Sequence, residues 1–210
     1  MPEAKNNMGM VVIAAAVTLV LGLGVGYMIG NNKGSSTSMN NDSTQMSATS
    51  DGVTVGGAKM VRDKDIVDNA VNAKNVTTVV SLVQKAGLVD TLKSTGPFTV
   101  FAPNNDAFDA VPKATLDKIS GDMNLLKTVL TYHVVPGTYT SADLRAMAAS
   151  GQTVKTVQGE TLSFKMKDGN VVVVDHTGQE VMIETADVIS SNGVTHVIRN
   201  VLLPVDPSTL

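Results

Sequence analysis

The sequence contains no cysteine and no tryptophan, and aromatic residues make up 3% of its 210 positions. The lack of cysteine removes disulfides, thiolate nucleophiles, iron–sulfur clusters and cysteine-ligated zinc together. It leaves the compartment open, because a domain of this size folds without covalent staples. With so few rings, base-stacking platforms and carbohydrate-stacking clefts are poorly supplied. A cationic excess is missing too: 16 basic residues against 19 acidic ones give a net charge of −3. A surface that tracks phosphates needs the opposite balance, which argues against nucleic acid as a partner.

Spelled catalytic motifs are also lacking. There is no Gly-x-Ser-x-Gly elbow, no Walker phosphate loop and no His-Glu-x-x-His pair. The histidines stand far apart, at His133, His176 and His196, and a metal needs three or more convergent ligands. His133 follows an apolar helix and His196 sits in an apolar strand, so both read as core imidazoles held by backbone. The expectation is no enzyme, no cofactor and no metal site.

Apolar residues, at 43%, are plentiful enough for a buried core. One apolar stretch, Met8 to Gly30, runs for 23 residues without a charge. As a helix it spans about 35 Å, enough to cross a hydrocarbon layer of about 30 Å with some tilt. It reads as a retained transmembrane signal anchor after a short stub, residues 1–7. A cleaved signal peptide, and hence secretion, is the alternative. Gly22, Gly26 and Gly30 recur every fourth residue, a spacing that allows anchor self-association through one helix face. A long domain after a short N-terminal stub is expected outside the cytoplasm, in the periplasm or at the cell surface, on a single-pass membrane tether.

Composition shifts abruptly over residues 31–58, where Ser, Thr, Asn and Gly supply 18 of 28 residues. Such a segment buries too little apolar surface to offset its ordering entropy and reads as a flexible, disordered linker.

Regular patterning occupies 59–210. Ile66, Val67, Ala70 and Val71, then Val79 to Ala86 before Gly87, recur at helical spacing. Phe98 to Pro103 reads as a short strand; Asn104, Asn105 or Asp106 can cap the helix that follows, Asp106 best because its charge also favours a helix N-terminus. Leu116–Ile119 and Leu125–Tyr132 are again helical. The second half alternates in strand fashion: Leu162, Phe164 and Met166; a hairpin turn at Lys167-Asp168-Gly169-Asn170; then Val171–Val174, Val181 and Ile183. A last strand is expected from Val194 to Leu203. Helices first and strands later give an α+β class.

Three segments carry a family resemblance. Phe98-Thr99-Val100-Phe101-Ala102-Pro103-Asn104-Asn105-Asp106-Ala107-Phe108 closely resembles the first signature of the fasciclin-like FAS1 domain. Tyr132-His133-Val134-Val135-Pro136-Gly137 is similar to its central Tyr-His segment. Asn192-Gly193-Val194-Thr195-His196-Val197-Ile198-Arg199-Asn200-Val201-Leu202-Leu203-Pro204 is similar to its second signature. The resemblance implies a β-wedge of about seven strands with a helical layer. It also implies non-catalytic adhesion and protein binding, with surface or extracellular-matrix proteins or polysaccharides as partners. In some animal members an Asp-Ile pair before the second signature, and residues around the Tyr-His segment, are implicated in integrin binding. The matching positions are Asp187, Val188, Tyr132 and His133, and these are the expected partner-binding residues. An anchored single domain without cysteine looks more like a bacterial or archaeal member than a matrix protein. The alternative function is a small-molecule or lipid-binding envelope protein that uses a cleft of the wedge.

Overall fold

The computed structural model describes residues 52–204. The expected stub 1–7, the expected span 8–30 and most of the expected linker lie outside the described residues. Among the described residues, no helix is long and apolar enough to cross a membrane.

The first strands are β1 (Thr54–Val55) and β2 (Ala58–Lys59), an antiparallel pair. Thr54, Val55 and Ala58 fall within the expected 31–58 linker, and here they form strands that pair with the start of the folded domain. Gly56 and Gly57 both have positive φ, 55° and 80°, which two-residue hairpin turns favour. Glycines that read as linker are therefore turn chemistry, and Val55 and Met60 on either side are buried.

Three helices follow: α1 (Ile66–Ala70), α2 (Thr77–Lys85) and α3 (Val89–Lys93). Strand β3 (Phe98–Pro103) leads into α4 (Asn105–Asp109), α5 (Lys113–Gly121) and α6 (Met123–Tyr132). The cap of α4 is Asn104, whose side chain accepts from the Ala107 N–H at 2.7 Å. Of the three candidate caps it is therefore Asn104 that serves, and Asp106, the preferred one, already lies inside the first turn. Strand β4 (Val134–Pro136) precedes α7 (Ser141–Ser150), and β5 (Thr153–Lys155), β6 (Thr161–Lys167), β7 (Asn170–Val174), β8 (Glu180–Ser190) and β9 (Gly193–Ile198) complete the order.

Seven strands form one mixed sheet in the order β4-β3-β9-β8-β7-β6-β5. All neighbours are antiparallel except β3 and β9, which run parallel in the centre. The sheet curls until its ends approach: the Val157 N–H, just past β5, donates to the Val134 carbonyl of β4 at 2.8 Å. The pleat sorts side chains onto two faces. Val100 and Ala102 of β3 and Val197 of β9 join the apolar cluster beneath α1–α6. Phe101 of β3 and Ile198 of β9 join a second cluster with Leu162, Phe164 and Val173, into which α7 inserts Leu144. Because β3 is covered on both faces, it reads as continuous apolar sequence. The expected β6–β7 hairpin is present, with Asp168 and Gly169 at φ 50° and 78°.

Two expectations need correction. The last strand stops at Ile198 rather than Leu203. Beyond it, the Leu202 and Leu203 N–H groups leave the ladder and donate to the side chains of His133 and Asp175. Helix α7 has no counterpart in the periodicity, because only Leu144 of its ten residues is fully buried and no apolar stripe marks it.

Close approach of β9 to β3 requires Gly193. A Cβ there would lie 2.0 Å from the Phe98 carbonyl oxygen, and backbone cannot move aside. Gly193→Ala is expected to destabilise the full chain by at least about 3 kcal/mol in chemical denaturation. Gly169→Ala meets no neighbour and retains only its positive-φ strain. Its cost should be about 1–2 kcal/mol.

Candidate functional site

The three signature-like segments become neighbours in space, because β4, β3 and β9 are adjacent in the sheet. The residues expected to bind a partner lie in and beside this block, and most are enclosed. Tyr132 ends α6 and is fully buried. Its hydroxyl accepts from the His176 N–H at 2.8 Å and donates to the Thr161 carbonyl at 3.4 Å. Burial pushes this phenol up to about 12. His133 caps the same helix and is 3% exposed. Its Nε2 accepts from the Leu202 N–H at 3.0 Å, which assigns the proton to Nδ1, the donor to the Val129 carbonyl at 2.8 Å. Desolvation lowers its pKa to about 4.

Asp187 sits in a bulged part of β8 with φ 59°. Its carboxylate accepts from Ser141 twice, from N–H at 2.7 Å and from Oγ–H at 2.5 Å. Val188 beside it is 3% exposed and belongs to the cluster under the helices, whereas Tyr132 belongs to the other cluster. The two expected pairs therefore do not form one patch. In this conformation Tyr132, His133 and Val188 are closed to a partner, and the carboxylate of Asp187 is engaged within the domain.

Ser141, Asp187 and His196 do converge, in the residue types of a nucleophilic triad. Their connectivity is different. The serine hydroxyl donates to the carboxylate, while His196 Nε2 meets the Tyr139 carbonyl at 2.8 Å. His196 Nδ1 faces the Asp187 N–H at 3.4 Å. No imidazole nitrogen is aimed at the hydroxyl, and His196 is fully buried. A triad needs the base on the nucleophile. The trio instead fastens the start of α7 to β8 and β9.

Other fastening groups gave no motif-level signal. Asn69 accepts from the Val61 N–H and donates to Val61 and Ser190, tying α1 to the end of β8. Asn192 accepts from the Ile66 N–H and donates to the Leu92 and Ser94 carbonyls, joining the β8–β9 turn to α1 and α3. Buried Asp175 accepts from Thr177, Gln179 and Leu203. Among the described residues, no group of three or more His, Asp or Glu is placed to hold a metal ion.

What remains open beside the Tyr-His segment is an apolar cleft of about 80 Å³. Its walls include Val79, Leu92, Leu130 and Val134, with Leu88 and Phe98 half-buried and Val157 43% exposed. Pockets that enclose drug-sized ligands are about 300–1,000 Å³. This one has room for a single apolar side chain.

The buried imidazole makes stability pH-dependent. Unfolded chains protonate His133 near its ordinary 6.5, the folded chain only near 4. Its contribution is complete above pH 6.5 and declines as pH falls towards 4, by about 3 kcal/mol in all. His196, also lowered by burial, adds in the same direction. Denaturation midpoints measured from pH 7.5 to 4 should fall accordingly, with a shallower slope in His133→Gln.

A model of the Fasciclin domain family matches residues 74–204. The relative named Protein sll1483, from Synechocystis, is 41% identical over 162 residues, covering 76% of this chain and 84% of its own. The transforming growth factor-beta-induced protein ig-h3 of Sus scrofa is 36% identical over 126 residues, 60% of this chain but 17% of its own. Among solved structures, a FAS1 domain pair from the insect cell adhesion molecule Fasciclin I aligns with a TM-score of 0.58 at 19% identity. That alignment covers 68% of this chain and 52% of the insect one. Family match, bacterial relative and shared fold agree with the mixed sheet and its three adjacent signature strands: the chain belongs to the fasciclin (FAS1) domain family.

Proposed function

We propose that this chain is a non-catalytic, adhesion-type protein-interaction module. It is displayed outside the cytoplasm, on a membrane tether formed by residues 8–30. The observation that carries this reading is the use of the polar side chains. The groups that chemistry would recruit, His133, His196, Asp175 and Asp187, are committed to backbone or to Ser141 and hold the fold. Fasciclin I, described as a cell adhesion molecule, supports the adhesion reading by fold.

The contact surface moves from the buried Tyr-His pair to the rim of the cleft that His133 helps to wall. A cleft of about 80 Å³ suits one apolar anchor side chain of a partner protein at a cell surface or in a matrix. Within this cleft the same volume argues against a lipid or drug-sized ligand.

Two tests follow. Val157→Asp puts charge on the exposed rim. Cells displaying the full chain should then attach at least about ten-fold less to native envelope surfaces, with the unfolding midpoint within about 1 kcal/mol of wild type. Unchanged attachment removes the cleft as the contact. For the tether, intact mass of the membrane fraction should retain Met8–Gly30; a mature terminus near Tyr27 or later means secretion.

A further inference from the structure

Helix α7 is the helix laid across the second apolar cluster. Along its ten residues only Leu144 is fully buried, with Met147 and Ala148 half-buried beside it. Its C-terminal end stops at Gly151 in the left-handed conformation. The N-terminal end, by contrast, is tied by side chains from three strands. Thr99 of β3 donates to the Gly137 carbonyl and accepts from the Tyr139 N–H. His196 of β9 meets the Tyr139 carbonyl, and Asp187 of β8 holds Ser141 through N–H and hydroxyl. Under α7 lie Leu162, Phe164 and Val173, all in the second cluster.

His196 is the imidazole in this latch, and it gains a positive charge on protonation. Its surroundings suit only the neutral ring. Nδ1 faces the Asp187 N–H at 3.4 Å, so a proton added there would set donor against donor. From β3 the ring is stacked on Phe101, centroids 5.6 Å apart, which brings no charge. From β8 it meets Asp187, the one charged side chain that acts on it. The approach to α7 offers the Tyr139 carbonyl and no charge. Asp187 favours the charged ring, but burial outweighs it, and the balance lies below the ordinary 6.5. Asp143, in the first turn of α7, is held below the usual carboxylate range by Thr140, so it stays charged at pH 5.5 and its capping box is unaffected. His133 titrates only near 4, so it is not the trigger in this window.

From these contacts we infer that α7 is an acid-released lid. Protonation of His196 undoes the latch formed with Asp187, Tyr139 and Ser141, and the helix lifts to bare the second apolar cluster. Linkage sets the direction. An open state that returns His196 to water takes up the proton near 6.5, and a closed state that resists it loses population as pH falls. Between pH 7.5 and 5.5 the open fraction rises by up to about ten-fold.

Hydrogen exchange of the full chain, corrected for the intrinsic effect of pH, tests this. Amides of residues 142–150 should lose protection by up to about ten-fold between pH 7.5 and 5.5, while those of 98–103 and 193–198 keep theirs. In His196→Gln, which has no titrating ring, the response of α7 should vanish. Should that variant fail to fold, the histidine proton uptake of Leu144→Ala provides the second measurement. Loosening the lid must move the His196 titration up towards 6.5. Parallel loss of protection in α7 and the central strands, an unchanged α7, a pH response that survives in His196→Gln, or an unmoved His196 titration in a loosened lid would each overturn the proposal.

Discussion

The parallel pairing of β3 with β9 is the contact on which the rest of the domain depends. It joins residues 95 positions apart, from Phe98 against Gly193 to Pro103 against Ile198. Closing so long a loop is entropically unfavourable, and the pair offsets it by burying both faces of both strands. The helix-side cluster is built on Val100, Ala102 and Val197, and the opposite cluster on Phe101 and Ile198. A defect at this seam therefore reaches both cores at once. Gly193 lies at its first rung, where only the absence of a side chain lets the Phe98 carbonyl approach.

Around the seam, the domain uses polar side chains in place of regular ladders wherever the chain leaves a strand or enters a helix. Asn69, Asn104, Asn192, His133 and Asp175 are all buried and all bonded to backbone, nearby for Asn69 and Asn104 and at distant positions for the other three. Each replaces water at a buried N–H or carbonyl, so removing one leaves its partner unpaired at a cost of about 1–3 kcal/mol. These groups look reactive in a sequence and are structural in the fold. Their use this way is also why an interaction role fits better than chemistry: a rigid scaffold with its imidazoles and carboxylates engaged leaves apolar relief and backbone shape as what it presents.

The two halves of the core are covered differently. Among the described residues, six helices and a hairpin cover one face of the sheet, and one helix, α7, caps the other. The thick layer gives stability, with a small apolar cleft where helices α2 and α3 meet β3 and β4. The thin cover rests on few apolar contacts and a hydrogen-bonded latch, so the two sides respond to different perturbations.

Much of the architecture is legible in the residues alone. Strands β3, β6 and β7, helices α2 and α6 and the Asp168-Gly169 turn follow from periodicity and turn chemistry, because each is dictated by neighbours in sequence. Order and spelling of three segments identify the family for the same reason. Features set by distant contacts are not legible that way. Helix α7 carries one buried leucine and needs β6 and β7 beneath it to count as an amphipathic element. The β1–β2 hairpin shares the composition of a linker until Val55 meets the core. Tyr132, His133 and Val188 resemble contact residues until burial encloses them, and Asp187 until Ser141 occupies its carboxylate. Local pattern and chain chemistry determined the elements, the α+β class and the absence of a spelled catalytic motif; which side chains are walls, latches or surface was decided only when β3 and β9 came together, because burial and hydrogen-bond partners are properties of the assembled sheet.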